Sequence, residues 1–172
     1  MDKITRRAFY SFHFKNDAWR ASQVRNMGVV DGNKPATDNE WEEVKKGGDE
    51  RIKKWIDRQM DNRSVAVVLI GAETAERKWV RYEIKRAWEL GLGVLGVRIH
   101  RLKDENQKTS RCGANPFANF KLGIKSMDEI VQTYSPAGDK SEDVYSNIKK
   151  NLSKWIEEAI KIRGKYKGAK QA

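Results

Sequence analysis

The pattern of apolar residues along the chain predicts a set of short strands. Residues 8–12 are rich in aromatic side chains, residues 65–70 form a continuous apolar and β-branched run, and residues 93–99 are again mostly apolar. A run that is apolar at every position is typical of a strand covered on both faces, as in a parallel sheet between layers of helices. Val29-Val30 and residues 128–134 predict two further short strands.

Apolar residues at helical spacing predict helices between these strands. Asp17 is expected to cap the first helix, because a carboxylate at that position accepts hydrogen bonds from free backbone N–H groups. Gly91 is expected to end the third helix. The predicted helices span residues 18–27, begin after Asp49, run from residue 74 or 78 to Leu90, and span residues 141–163.

The alternation of strands with helices predicts a three-layer α/β fold with a central parallel sheet and helices on both faces. A chain of 172 residues has the length of one domain. We expect that domain over residues 1–163 and a basic, flexible tail over residues 164–172. Residues 28–48 and 100–126 show little periodicity and are interpreted as long loops.

Composition narrows the chemistry that the chain can perform. Two histidines, His13 and His100, and the single Cys112 give no zinc spacing, so no metal site is expected. The longest apolar run is far shorter than the ~20 residues of a membrane helix, and the N-terminus has no apolar secretion segment. These features predict a soluble cytoplasmic protein that does not contact a membrane.

The basic balance of the chain raises the question of nucleic-acid binding. Lys and Arg total 35 and Asp and Glu total 24, which gives a net charge of +11. The charge is spread along the sequence, and most aromatic residues fall on predicted core faces instead of interleaving with a basic patch. We therefore interpret the charge as a solvated surface, and a nucleic-acid partner is not expected.

The glycines between residues 91 and 96 match the spacing G-x-G-x-x-G. A dinucleotide-binding turn of that spacing must follow a strand and begin a helix, so that the pyrophosphate meets the helix N-terminus. Here a helix ends and a strand begins. The glycines are therefore interpreted as a tight turn followed by close packing of the strand.

Trp79 and Glu83 form a W-x-x-x-E pair in the first turns of the helix that follows the most buried strand. The pair alone is a weak signal, but ligands in open α/β sheets bind beyond the carboxyl ends of the strands. At 100° per residue, the buried face of this helix holds Val80, Ile84 and Trp88, and Glu83 falls at its margin. The sequence thus favours a half-buried carboxylate beside a crevice, with a solvated surface glutamate as the alternative.

Three segments of the chain resemble a TIR domain, and in particular the bacterial TIR-like family of the Thoeris anti-phage system. They are Phe9–Phe14, Ser64–Gly71 and Trp79–Ile84, and Asn115-Pro116-Phe117 is also similar to that family. The resemblance extends over roughly residues 7–135. It implies a flavodoxin-like fold.

The resemblance also implies an activity. Many TIR domains cleave the nicotinamide–ribose bond of NAD, and Glu83 matches the family's catalytic glutamate. Ser11, Phe12 and His13 match the stretch that lines the nucleotide pocket, and Trp79 would contact the substrate. The Thoeris resemblance implies a cyclic ADP-ribose isomer that activates a companion effector, with NAD as substrate, no separate cofactor, and the options of a phage-derived trigger and of TIR self-assembly.

Alternatives remain open at this point. Trp79 equally fits a role in closing the seam between helix and sheet, and His13 and Ser11 equally fit strand-end and turn positions. A TIR scaffold that signals by assembly without chemistry is one rival function. A receiver-like phospho-acceptor is another, although Ile70-Gly71-Ala72 stands where that chemistry requires an Asp.

Overall fold

A computed structural model describes residues 6–33 and 38–166, and its centre is a five-stranded parallel sheet. The strands lie in the order β2-β1-β3-β4-β7. That order is the flavodoxin-like one, because chain order reverses between β1 and β3. The sheet strands are β1 Arg7–Ser11, β2 Asp31–Gly32, β3 Val65–Ile70, β4 Gly93–Arg98 and β7 Thr133–Tyr134, and a separate antiparallel hairpin holds β5 Lys121–Leu122 and β6 Lys125–Ser126.

Helices cover both faces of the sheet and complete the three layers that the sequence predicts. The second, third and fourth helices pack on one face, and the first and fifth pack on the other. The helices are α1 Phe14–Arg25, α2 Asp38–Lys46, α3 Gly48–Met60, α4 Lys78–Glu89 and α5 Ser141–Gly164.

Strand β3 explains why this arrangement is stable. All six of its residues are buried, and they alternate between two apolar clusters. Val68 and Ile70 contribute to the cluster under α3 and α4, while Val67 and Leu69 contribute to the cluster under α1 and α5. The continuous apolar run in the sequence is therefore a strand covered on both faces, as predicted.

Two details of the first half of the chain differ from the prediction. Helix α1 begins at Phe14 with His13 at its N-cap, so Asp17 lies inside the first turn and is not the cap. The second strand is Asp31–Gly32, two residues after the predicted Val29-Val30. It forms because its backbone pairs with β1, Arg7 opposite Asp31, and such a two-residue strand leaves no side-chain pattern in the sequence.

The two segments interpreted as loops contain short elements. Helix α2 lies within residues 28–48. Residues 100–126 hold a short 3₁₀ helix at Pro116–Asn119 and the β5–β6 hairpin, whose turn contains Gly123 with a φ of 68°. A short 3₁₀ helix, Met127–Glu129, occupies the start of the predicted 128–134 strand.

The glycine-rich turn has the structural role that its position predicts. Gly91 adopts a φ of 82° directly after α4, a conformation that favours glycine. Gly93 lies against α5, where an added Cβ would come within 2.8 Å of the backbone nitrogen of Ile160. The turn thus allows β4 and α5 to pack closely.

The C-terminal end of α4 is held by a buried arginine of α5. Arg163 donates hydrogen bonds from Nε and Nη2 to the carbonyl oxygen of Trp88, the second at 3.0 Å, and its guanidinium lies 4.4 Å from the Trp88 ring centre. Carbonyl groups and an aromatic face satisfy this cation. Helix α4 is therefore fixed at both ends, by β3 before it and by α5 behind it.

Over residues 6–33 and 38–166, none of the helices has the length and apolar character required to cross a membrane.

We predict that Gly93→Ala destabilises the fold by about 1–3 kcal/mol, because the added methyl group forces β4 and α5 apart. Urea unfolding followed by circular dichroism measures the change. Gly164→Ala is the matched control, since a methyl group there meets no atom within 4 Å. Equal midpoints for Gly93→Ala and the wild type would contradict the close packing of these two elements.

Candidate functional site

The candidate site lies where β1 and β3 end side by side. Ser11 is the last residue of β1 and pairs with Val68 of β3, and Gly71 follows the last residue of β3. In a sheet of this strand order, the point between these two strands is where connections leave in opposite directions and a crevice opens. The sequence places its candidate residues on both sides of that crevice.

Glu83 is brought to the crevice by α4. The buried face of the helix holds Val80, Ile84, Ala87 and Trp88, as predicted, and Glu83 is half-buried at its margin. Its Oε2 atom is inaccessible and has no hydrogen-bond partner in the described part of the chain. No salt bridge reaches Glu83 from the residues that the structure describes.

The surroundings of Glu83 disfavour its charged form. Burial raises the pKa of its carboxyl from the ordinary value of 4.5 to about 8, and the nearby Ser11 hydroxyl lowers it in part. Burying a carboxylate without a nearby cation costs free energy. The Glu83 carboxyl is therefore expected to be neutral unless a positively charged ligand binds beside it. Such a perturbed group in a crevice is typical of a functional site.

The residues at the end of β1 add further unsatisfied polar atoms. Ser11 and His13 are 1% and 5% exposed, and neither the Ser11 hydroxyl nor either imidazole nitrogen has a hydrogen-bond partner among the described residues. Burial lowers the pKa of His13, and the positive charge of Arg77 lowers it further. Because native proteins rarely leave buried polar atoms unpaired, this cluster is suited to a polar ligand.

Phe12 and Trp79 pack against different apolar clusters of the fold. Phe12 packs with the cluster on the α1 and α5 side of the sheet, the face opposite to Glu83. Trp79 is half-buried, and its ring makes an edge contact with Tyr82 at 5.8 Å and a cation–π contact with Lys78 at 4.9 Å. Direct roles for both residues in ligand binding stay predictions.

Comparison with known proteins decides the family. The sequence model described as "Thoeris protein ThsB, TIR-like domain" matches residues 9–104. A Bacillus cereus (strain MSX-D12) protein named "Putative cyclic ADP-D-ribose synthase ThsB1" is 32% identical over 168 residues, which are 95% of this chain and 86% of that protein. The chain belongs to the ThsB TIR-like family. The resemblance drawn from the sequence is thereby confirmed.

The family match includes the crevice of this ThsB-family chain. Residues 9–104 contain Ser11, His13 and Glu83, together with the β3–α4 unit that positions the glutamate. Asn115 lies beyond the matched range and has a structural role here. Its side chain accepts a hydrogen bond from the backbone N–H of Phe117 and donates one to Thr133.

A groove of about 800 Å³ lies elsewhere in this ThsB-family protein. Its walls are residues before and at the start of α5 and residues that follow β4, and it contains none of the candidate residues. Within residues 6–33 and 38–166, no three His, Cys, Asp or Glu side chains converge on a point that could hold a metal ion. The unpaired atoms at the β1–β3 crevice, and not the size of this groove, define the candidate site.

Asp17 and Arg20 form a buried polar pair near the end of β3, and the sequence did not predict burial for either residue. They are 1% and 3% exposed, and Arg20 Nη1 lies 2.8 Å from Asp17 Oδ1. A signal was present, because Asp17, Ala21 and Val24 are spaced i, i+4, i+7 and share the buried face of α1. Because Asp17 was interpreted as a helix cap, its place on the buried face of α1 was not predicted.

We predict that Glu83→Gln stabilises the folded protein at neutral pH, by up to a few kcal/mol. The folded state holds the Glu83 proton more tightly than the unfolded chain, so the wild type is unaffected below pH 4.5 and loses stability as the pH rises to about 8. Glutamine cannot ionise and avoids that loss.

Urea midpoints of both proteins at pH 4.5 and pH 8 measure this effect. The advantage of Glu83→Gln should be small at the lower pH and large at the higher one. Glu89→Gln, an exposed position on the same helix, is the matched control and should show no such difference. The same difference between Glu83→Gln and the wild type at both pH values would show that the carboxyl is not buried as described.

Proposed function

We propose that the protein is an ADP-ribosyl cyclase-like NAD nucleosidase of bacterial anti-phage defence. It cleaves the nicotinamide–ribose bond of NAD and makes a cyclic ADP-ribose isomer, a second messenger that activates a companion effector. Membership of the ThsB TIR-like family and the name of the Bacillus cereus relative support this proposal. NAD is the substrate, and no separate cofactor or metal takes part.

The observation that carries the proposal is the Glu83 carboxyl. It is an acidic group without a cationic partner among the described residues, held at the crevice between β1 and β3. A site that already contained a lysine or arginine beside the carboxylate would gain little from a positive ligand. This one is suited to a ligand that brings its own positive charge, as the pyridinium of NAD does.

The chemistry requires an anion and little else. When the bond to nicotinamide breaks, the bonding electrons leave with a neutral base, so no acid is needed to protonate it. Positive charge develops on C1′ and the ring oxygen of the ribose. The Glu83 carboxylate stabilises that charge and accepts hydrogen bonds from the ribose hydroxyls.

The raised pKa of Glu83 is consistent with this role. In the free protein the carboxyl is mostly neutral near pH 7, because its pKa is about 8. A bound pyridinium favours the ionised form and lowers that pKa. Substrate binding therefore raises the ionised fraction of Glu83, and the field of the carboxylate is strong because little water competes with it.

The other candidate residues bind the substrate in this proposal. The Ser11 hydroxyl, next to Glu83, takes part in binding the ribose, and the His13 imidazole binds a phosphate or a ribose hydroxyl. Phe12, which follows the end of β1, and Trp79, one turn before Glu83 on α4, supply apolar surface to the substrate. All four are substrate-binding residues, and Glu83 is the catalytic one.

The product of the reaction depends on which nucleophile attacks the positively charged ribose at C1′. Water gives ADP-ribose, whereas a hydroxyl or an adenine nitrogen of the same molecule gives a cyclic isomer. Exclusion of water favours the cyclic product. The segment after β4 can serve as a wall, because Arg98 Nη1 bonds to the carbonyl oxygen of Gly113 at 2.7 Å and Gly113 packs directly on the backbone of Gly71.

We predict that Glu83→Gln abolishes NAD cleavage, with a loss of at least about a thousandfold in kcat/KM, because the stabilising anion is gone. Mass spectrometry of the products formed from NAD is the measurement. The wild type should release nicotinamide and a cyclic isomer of ADP-ribose. Glu89→Gln is the control on the same helix and should retain wild-type turnover.

Three outcomes would contradict the proposal. Equal turnover by Glu83→Gln would remove this residue from the chemistry. ADP-ribose as the sole product would leave a nucleosidase without cyclase activity. No consumption of NAD by the wild type, even in cells exposed to phage, would favour the rival function of a scaffold that signals by assembly.

A further inference from the structure

Asp17 uses only one of its two carboxylate oxygens. Oδ1 accepts a hydrogen bond from Arg20, while Oδ2 is inaccessible and has no partner in the part of the chain that the structure describes. The side chain packs on the exit of β3, where a methyl group on Gly71 would come within 2.1 Å of Oδ2. A buried ion pair with a purely structural role would be expected to satisfy both oxygens.

His13 also has buried polar atoms without a hydrogen-bond partner in the described part of the chain. The backbone N–H of Asp17 donates to the carbonyl oxygen of His13 at 2.8 Å, one helical turn away. The charges of the two side chains influence each other, and neither imidazole nitrogen has a partner within residues 6–33 and 38–166. Two buried side chains without hydrogen-bond partners among the described residues, one a carboxylate oxygen and the other an imidazole, thus lie within one helical turn at the start of α1.

Arg20 fixes Asp17 and connects it to the segment after β4. Besides Asp17, it donates from Nε to the carbonyl oxygen of Leu102 at 2.7 Å and from Nη2 to that of Lys108 at 2.9 Å. The guanidinium therefore holds Asp17 in a single orientation and ties residues 102–108 to α1. Its planar arrangement of donors suits three acceptors that lie in different directions.

We propose that Asp17 is a positioning residue that acts through His13: held by Arg20, its buried carboxylate favours the charge state of the imidazole that binds an oxygen of the substrate. This role rests on the proposed function, because the substrate oxygen is one of NAD. The unpaired state of both side chains in the free protein follows directly: a ligand group completes the arrangement. Asp17 does not itself touch the reacting atoms.

Other charged groups also face His13, and they set the direction of the test. Arg77 and Lys15 favour the neutral imidazole, while Glu73 and Asp17 favour the protonated one. Glu73 is exposed and accepts a hydrogen bond from Asn16 at 2.7 Å. Asp17 is the buried acid of the two, so its charge acts on His13 with less screening by water.

Nuclear magnetic resonance of the imidazoles tests this coupling without any need for activity. The chain has two histidines, so a His100→Gln variant assigns the signals. Asp17→Asn keeps the shape of the side chain and removes its charge, and we expect the pKa of His13 to fall. The pKa of His100, which Asp17 does not influence, should stay the same and reports that the fold is intact.

Asp104→Asn is the matched control. Asp104 lies 3.8 Å from Arg20 Nη2, so this variant removes another acid beside the same guanidinium without removing one beside His13. The pKa of His13 should not change. If Asp17→Asn does not fold, the smaller Asp17→Ser asks the same question with less contact to Gly71. An unchanged pKa of His13 in a folded Asp17 variant would overturn the proposal.

Enzyme kinetics provide a second test of the role of Asp17. We expect Asp17→Asn to raise KM for NAD by about tenfold with a smaller change in kcat, because His13 contributes to substrate binding before the bond breaks. An unchanged KM in a folded variant would show that the pair has no positioning role. If the wild type does not consume NAD, the proposed function fails, but the resonance measurement still decides whether Asp17 controls His13.

Discussion

The site depends on one constraint, the burial of the Glu83 carboxyl with no counter-charge among the residues that the structure describes. Ordinary proteins avoid this arrangement, because a neutral acid or an unpaired anion in the interior costs free energy. In this protein that cost in free energy arises at Glu83, on the well-packed helix α4. The packing of that helix places Glu83 at the margin of the buried face, where its Oε2 atom is inaccessible to water.

Helix α4 is held in place by elements on either side of it. Strand β3 is buried along its full length and leads into α4 through a short 3₁₀ turn, Thr74–Glu76, whose threonine hydroxyl accepts a hydrogen bond from the N–H of Gly71 at 2.8 Å. Behind the helix, Arg163 binds the carbonyl oxygen of Trp88. The stability of the fold is thus used to hold a destabilising group, a trade that is common at functional sites.

The sequence predicts the parts of the fold and the site that depend on local patterns. The apolar run at β3 and the helical arc around Ile84 lead directly to Glu83, because burial on both faces and a period of 3.6 are visible in the residues themselves. The pairing of Arg20 with Leu102 and Lys108 is not visible, because it joins positions more than 80 residues apart. For the same reason the strand at Asp31–Gly32, defined only by its pairing with β1, was placed two residues too early.

The most direct test of the central claim is the titration of the Glu83 carboxyl by carbon-13 nuclear magnetic resonance, with Glu83→Gln used to assign the signal. The account predicts a pKa of about 8 in the free protein. It also predicts a lower value when a carbocyclic NAD analogue, which carries the pyridinium but cannot be cleaved, is bound. A pKa near 4.5 that the analogue does not change would contradict the account, because the carboxyl would then be an ordinary solvated acid that does not sense the ligand.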